Sequence, residues 1–246
     1  HCIEKYGITE FHFEDENMTL NNERAREICR LIDEKGLKIK WQTPNGIRAG
    51  VTNNDTLDEM KKSGCCHITV APESGSERVI KEIMNKEQDL ESVTRIVKHA
   101  SKIGLKTAAF FIIGLPGETI QDVKLSIKYI CQLAIAGIDE VGISLFIPLP
   151  GSELYDILLT QGKINNDWSS YATIGDMSKA VSWSEEISDH ELNQLRKRAY
   201  LIFILMKSLF HPLRVLRSIV NIAIKREELK TERTLIAFIK RFRQKD

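Results

Sequence analysis

The chain has 246 residues, 42% hydrophobic and 28% charged, with 14 Gly and 6 Pro, a composition that excludes disorder and collagen-like repeats. The formal net charge of +1 gives no global pull toward nucleic acid or membrane, yet the charge is unevenly placed. Residues 196–246 hold 14 Lys+Arg against 4 Asp+Glu, which leaves 21 against 30 in the first 195. The five cysteines (Cys2, Cys29, Cys65, Cys66, Cys131) show no CxxC or CxxxC spacing and follow no secretory signal. They argue against a disulfide framework or a cysteine metal site, and for a reducing, cytoplasmic setting. The apolar stretch 199–224 is interrupted by Lys207, His211, Pro212, Arg214 and Arg217, so no run reaches the roughly 18 apolar residues of a spanning helix.

Five times an amphipathic stretch runs into Gly and then into a short β-prone segment: EKYGITEFHF, DEKGLKIKW, KKSGCCHITV, SKIGLKTAAFFII and AIAGIDEVGISLF. Gly7, Gly36, Gly64, Gly104 and Gly137 therefore read as helix stops, because the residue after a last helical turn often needs a positive φ. Ala25, Ile28, Cys29 and Ile32 share one helical face, as do Val93, Ile96, Val97 and Ala100. Asp55 with Asp58, Ser76 and Thr119 read as N-caps or first-turn acids. Alternating helices and strands at this spacing predict an α/β fold with a parallel sheet. The opening HCIEKYG reads as the last turn of a helix, and five strands are too few to close an eight-stranded barrel. A further βα unit is therefore expected upstream of His1.

In parallel α/β folds, binding groups gather in the loops after the strands. The first loop, FEDEN, crowds Glu14, Asp15 and Glu16 into one turn, suited to an ammonium group or a cation, or to a helix-start turn. A metal-dependent aldolase-like use of these three acids would require tight divalent-ion binding, and none is expected. TPNGIR offers Arg48 for a carboxylate or phosphate, or as a solvated side chain. APESGS sets Glu73 and Ser74 directly after a strand, fit for ribose hydroxyls or for a capped turn, with Gly75 open to close backbone approach. FFIIGLPGET makes a rigid turn that leaves the backbone groups of Ile112 to Leu115 at the sheet edge, where they can read a purine. Neither phosphate-loop pattern, GxxxxGK[ST] or GxGxxG, occurs. In ISLFIPLPG, Phe146, Ile147 and Pro148 form an apolar wall for a flat ring, or core. His12, His67 and His99 read as structural or surface residues, and Ser74 lacks the context of a hydrolytic nucleophile.

Residues 159–188, with Gly162, Trp168, Gly175 and Trp183, show little periodicity and mark a boundary. The expected organisation is a core over residues 1–160, a linker over 161–188 and a basic helical segment over 189–246. That segment is broken at His211-Pro212 and holds about three helices. A face of Leu201, Ile204, Leu205 and Leu209 is expected to cap the core. Contact of this basic segment with an anionic membrane or with RNA is the alternative.

FEDENMTLN, PNGIRAG, MKKSGCC, ITVAPESGS, FFIIGLPGET and FIPLPGSELY, in this order and at βα spacing, resemble the radical S-adenosylmethionine (radical SAM) enzymes, especially those carrying a cobalamin-binding domain. The resemblance covers residues 7–155. It implies a partial (β/α)6 TIM-like barrel, without its first βα unit, binding S-adenosylmethionine across its strand ends. Glu14, Asp15 and Glu16 would hold the methionine amino group, and Arg48 would assist at its carboxylate. Glu73 and Ser74 would contact ribose or methionine. Ile112, Gly114, Pro116 and Gly117, with Phe146, Ile147 and Pro148, would flank adenine. The family's CxxxCxxC motif, which holds a 4Fe-4S cluster for reductive cleavage of S-adenosylmethionine, does not occur in these 246 residues. By themselves they are expected to hold neither cluster nor activity, and Cys2 has no companions to replace the motif. The resemblance further implies an electron donor such as flavodoxin or ferredoxin, cobalamin in the full-length protein, and a small-molecule substrate undergoing methylation, cyclisation or rearrangement. The alternative reading is a non-catalytic nucleotide-binding or peripheral membrane protein with a degenerate barrel.

Overall fold

The computed structural model describes residues 1–164 and 181–243. Five strands, β1 (Glu10–His12), β2 (Lys40–Thr43), β3 (Cys65–Glu73), β4 (Lys106–Ile113) and β5 (Glu140–Leu145), form one parallel sheet in the order β1-β2-β3-β4-β5. This is the α/β fold with a parallel sheet that the alternating pattern predicts, and the partial barrel that the resemblance implies. Between the strands run α2 (Asn22–Glu34), α3 (Asn54–Lys62), α4 (Leu90–Lys102) and α5 (Ile120–Ala136), after a short α1 (Cys2–Tyr6). All five predicted glycine stops have positive φ. The demand is strictest at Gly64 and Gly137, both at φ 100°, where a Cβ would run into the Ile39 carbonyl and the Ser101 side chain respectively.

The helix starts are local chemistry. Asn21, Asn53 and Asp89 accept backbone N–H groups at the starts of α2, α3 and α4, and Thr119 forms a capping box with Asp122 at the start of α5. Asp55 is a first-turn acid behind the Asn53 cap. The Ser76 hydroxyl accepts the Val79 N–H at 3.4 Å, opening a short stretch that closes as one π-helical turn over Val79–Ile83.

The sheet has two unlike faces. Trp41, Ile68, Val70, Ala109, Phe111, Val141 and Ile143 pack on the helices in one core, with Phe11 and Phe13 against it. Because side chains alternate along a strand, Glu10, His12, Lys40, Gln42, His67, Thr69, Phe110, Glu140 and Ser144 project from the other, concave face. That face is polar, unlike the branched aliphatic filling of a closed barrel, and it suits a chamber for a polar ligand.

Among the described residues, α6 (Glu153–Thr160), α7 (Asp189–Phe210), α8 (Pro212–Ala223) and α9 (Lys230–Arg243) follow β5. Trp168 and Gly175 of the expected linker lie outside the described residues. Helix α7 runs along the β5 edge, where the Tyr200 hydroxyl accepts the Ile143 N–H at 3.0 Å and covers an otherwise open strand. The face that α7 buries is Leu192, Leu195, Ala199, Phe203 and Lys207. This corrects the expectation for Leu201, Ile204, Leu205 and Leu209, which are 58%, 56%, 58% and 72% exposed. Both stripes have helical spacing, and the contacts to α5 and β5 select the first. Helix α9 closes the concave face at the start of the strands. Its first-turn groups, Thr231 N–H and hydroxyl (both 2.7 Å) and Lys230 N–H (3.2 Å), donate to the Glu140 carboxylate, an anion seated at a helix N-terminus.

Candidate functional site at the strand ends

The parallel topology puts the five loops that follow the strands on one rim, and cross-loop hydrogen bonds tie neighbours together. Asn45 Nδ2 donates to the Glu14 carbonyl at 3.0 Å and Arg48 N–H to Asn17 Oδ1 at 3.2 Å, joining the first two loops. Ile47 N–H donates to the Thr69 carbonyl at 2.9 Å, tying the second loop to β3. Arg78, just past the third loop, donates to the Gly117 carbonyl at 2.9 Å and pairs with Asp122, reaching the fourth. Phe146 N–H donates to the Ile113 carbonyl at 2.9 Å, joining fourth and fifth.

Among the acids of the first loop, Asp15 is bound by Arg24 of α2 at 2.9 Å. Glu14 and Glu16 are exposed, and Glu14 Oε1 stands 3.7 Å from His12 Nδ1. Arg48 is exposed on the wall of a cleft of about 740 Å³ that also includes Glu77, Lys81 and Lys86.

Glu73 ends the central strand with φ 64°, a left-handed conformation uncommon outside glycine, beside a register shift between Val70 and Glu73. Its carboxylate is 15% exposed and accepts from Lys86 Nζ at 2.6 Å. Such strain persists where surrounding contacts hold it, and it concentrates at binding sites. Ser74 goes the other way. It is fully buried, its hydroxyl 3.0 Å from that of Ser126 on α5 and accepting the Ser76 N–H at 3.1 Å. Nor is Gly75 open to a ligand, because a Cβ there would meet the Leu125 carbonyl and the Ser126 Cα at 2.6 Å each. Its missing side chain admits helix α5.

The fourth loop folds around Glu118. This buried carboxylate accepts the N–H of Gly114 at 2.5 Å and of Leu115 at 3.2 Å, while the Gly114 carbonyl accepts Trp183 N–H at 3.0 Å. Those backbone groups, expected to face a purine, are therefore already engaged, and a Cβ on Gly114 would strike Leu192 of α7 at 2.6 Å. Residues 182–186 lie across the turn, with Ser184 donating to the Glu118 carbonyl at 2.6 Å and Gly117 N–H donating to Glu185 at 2.9 Å. What remains toward the concave side is half-buried Ile112, followed in the chain by half-buried Pro116 and exposed Gly117. Phe146 and Ile147 are half-buried and Pro148 is buried.

Burial raises the Glu118 carboxyl to about 7 although two N–H groups oppose the shift, and its Oε1 has no hydrogen-bond partner. Asp122 moves the other way. Burial works against its ionisation, but hydrogen bonds from Arg78, Ser76 and Thr119 outweigh it and hold the carboxyl far below the usual range.

A family model described as the radical SAM superfamily matches residues 1–130. The chain belongs to that superfamily. Among curated relatives of this radical SAM chain, it is 34% identical over 213 residues to the cytidylyl-2-hydroxyethylphosphonate methyltransferase of Streptomyces wedmorensis, covering 80% of this chain and 39% of that protein. It is 31% identical over 212 residues to an uncharacterized methyltransferase of Pyrococcus horikoshii, covering 84% and 44%. The chain thus spans about two fifths of the length of these relatives. The radical SAM methyltransferase TsrM from Kitasatospora setae, solved with cobalamin and a [4Fe-4S] cluster, superposes with TM-score 0.56 at 18% identity, over 65% of this chain and 32% of that one. Coproporphyrinogen III oxidase from Escherichia coli, a radical SAM enzyme, superposes with TM-score 0.54 at 17% identity, over 81% and 41%. At such identity these two establish the fold alone.

S-adenosylmethionine and a 4Fe-4S cluster are the cofactors of this superfamily, and the residues present fit them unequally. The strained Glu73, the exposed acids of the first loop and the apolar Ile112 and Phe146 suit an adenosyl ligand with an ammonium group. The cysteines do not suit a cluster. Cys2 is exposed on α1, Cys29 is buried in α2, Cys65 and Cys66 adjoin in β3, and Cys131 lies on α5. Burial pushes the thiols of the last four up, against the thiolate a metal requires. Among the described residues no three His, Cys, Asp or Glu converge to hold a metal ion.

Arg24, Arg78, Lys86 and Glu118 escaped the sequence reading, and Asn45 reads from sequence only as part of the PNG turn. Of the first four, only Glu118 carried a local signal, as the acid closing GLPGE. The others act across 9 to 44 positions of sequence, a separation at which no local pattern forms.

Proposed function

We propose that this rim binds S-adenosylmethionine and that the chain is part of a methyltransferase of the superfamily. The carrying observation is Glu73, a strained non-glycine residue ending the central strand with its carboxylate held by Lys86. When bound, S-adenosylmethionine supplies a methyl group or its 5′-deoxyadenosyl group. Glu14, fixed through its backbone by Asn45, takes the ammonium, with Glu16 beside it in the same turn. Asp15 spends its charge on Arg24. Arg48 meets the methionine carboxylate, Glu73 accepts from the ribose hydroxyls, and Ile112, Phe146 and Ile147 flank adenine with apolar surface. Ser74 positions the turn through Ser126. Methyl transfer is favoured over cyclisation or rearrangement because the two relatives matched over 80% and 84% of this chain are named methyltransferases.

Calorimetric titration with S-adenosylhomocysteine tests the reading. Saturable one-to-one binding is expected, weakened at least ~10-fold in Glu73→Gln, a loss of ~1.4 kcal/mol, and unchanged in Glu10→Gln at the opposite end of β1. Absent binding, or equal binding by all three proteins, would overturn it.

A further inference from the structure

Helix α8 is inside out. Arg214, Ser218 and Asn221, spaced to share one helical face, turn toward the protein. Arg214 donates to the Gly137 carbonyl at 2.6 Å and to the Ser101 hydroxyl and carbonyl at 2.8 and 3.1 Å. Asn221 is buried and donates to the Glu232 carboxylate of α9 at 3.1 Å. The opposite face, Leu213, Leu216, Ile219, Val220 and Ile224, is exposed. An ordinary surface helix places these two sets the other way round.

The exposed face continues around a corner. At His211 the chain turns through 111° from α7 into α8, and Leu209, Phe210 and Leu213 stand exposed on either side of the turn. Beyond them lie Leu205, Ile204 and Leu201 of α7. Exposed contiguous apolar surface of this kind marks an interaction site. Residues 196–226 contain eight Lys or Arg and no Asp or Glu. Lys207 is buried and Arg214 faces the protein, while Arg217 and Arg226 pair with Glu228 at 2.9 Å each. Exposed Lys197 and Arg198 precede the apolar stripe of α7, and exposed Lys225 follows α8.

We propose that α7 and α8 lie on an anionic lipid surface, their aliphatic faces in the interface and their cations at headgroup phosphates. Charge complementarity selects this occupant, because apolar residues flanked by the exposed cations Lys197, Arg198 and Lys225, with no acid between residues 196 and 226, are the pattern of an interfacial helix. A second copy would bring like charge against like charge. A nucleic acid would satisfy the cations and leave the aliphatic stripe in water. No single helix among the described residues is long and apolar enough to cross the bilayer, and the pair α7–α8, which together has the length and apolar composition, is bent by 111°.

Sedimentation of the whole protein with vesicles tests this. Vesicles of phosphatidylcholine with ~30% phosphatidylglycerol are expected to pellet at least ~10-fold more protein than phosphatidylcholine alone, with the excess shrinking as salt is raised. Leu205→Glu with Leu216→Glu, both at exposed positions, should abolish binding without changing the melting temperature. Lys197→Glu with Arg198→Glu should weaken binding to the anionic vesicles only. Equal, low pelleting with both vesicles would overturn the proposal. So would a dimer formed without lipid that Leu216→Glu dissolves, or RNA binding that the leucine variants leave intact.

Discussion

Glu118 shows how one carboxylate can organise a loop and sensitise it to pH. Its Oε2 gathers the Gly114 and Leu115 N–H groups, while its Oε1 is buried without a partner. Burial therefore favours the neutral acid, with the folded value about 7 against 4.5 unperturbed. A carboxyl raised on folding contributes its full stabilisation below pH 4.5 and loses it as pH rises through 7. The fall is on the order of 3 kcal/mol. Glu118→Gln keeps an acceptor for the two amides and carries no charge. Thermal melts should show wild type losing stability relative to this variant between about pH 5 and 8, and parallel curves would refute the assignment. The opposite limb belongs to Glu140 and Glu228. Burial opposes their ionisation, but His67 and Thr231 around Glu140, and Lys106 and Arg217 around Glu228, outweigh it and hold each at about 2. Their contribution is present above pH 4.5 and is lost as pH falls toward 2, so the two limbs separate cleanly.

Among the elements, α7 gives the sharpest test of packing against pattern. Phe203 and Leu205 are two residues apart on one helix, yet Phe203 joins the main core and Leu205 is exposed. Phe203→Ala should cost ~3–5 kcal/mol by urea denaturation, whereas Leu205→Ala should stay within ~0.5 kcal/mol. A reversal would mean that α7 is rotated about its axis. Helix α5 joins the site to the core. Its Thr119–Asp122 capping box also takes Arg78 and the Ser76 hydroxyl, and its Ser126 holds Ser74. One helix N-terminus thereby fixes the loops after β3 and β4 together, which is why the glycine beside it, Gly75, carries no side chain.

The molecule as a whole divides charge without dividing the core. The acidic body and basic tail meet in Lys106–Glu228 and Arg214–Asp139, and Leu192, Leu195, Ala199 and Phe203 belong to the same apolar cluster as the sheet. Unfolding of the two segments should therefore coincide: far-ultraviolet circular dichroism and tryptophan fluorescence are expected to report one transition. Two separated transitions would contradict a shared core. The polar concave face is open toward the rim and bounded at the strand starts by the first turn of α9, which holds Glu140.

The repeated units, the glycine stops, the Thr119 cap and the order of the five rim loops were all legible before any coordinates. Each depends on backbone conformation or hydrogen bonding within a few residues, and such preferences are carried by the local chain. Which of two helical stripes of α7 is buried, why Ser74 and Gly75 serve α5, how Glu118 engages the amides of its own turn, and that α8 presents its leucines outward depend on what packs alongside. Residues far apart in the chain set those outcomes by competing for the same space and the same hydrogen-bond donors, and that competition exists only once the chain is folded.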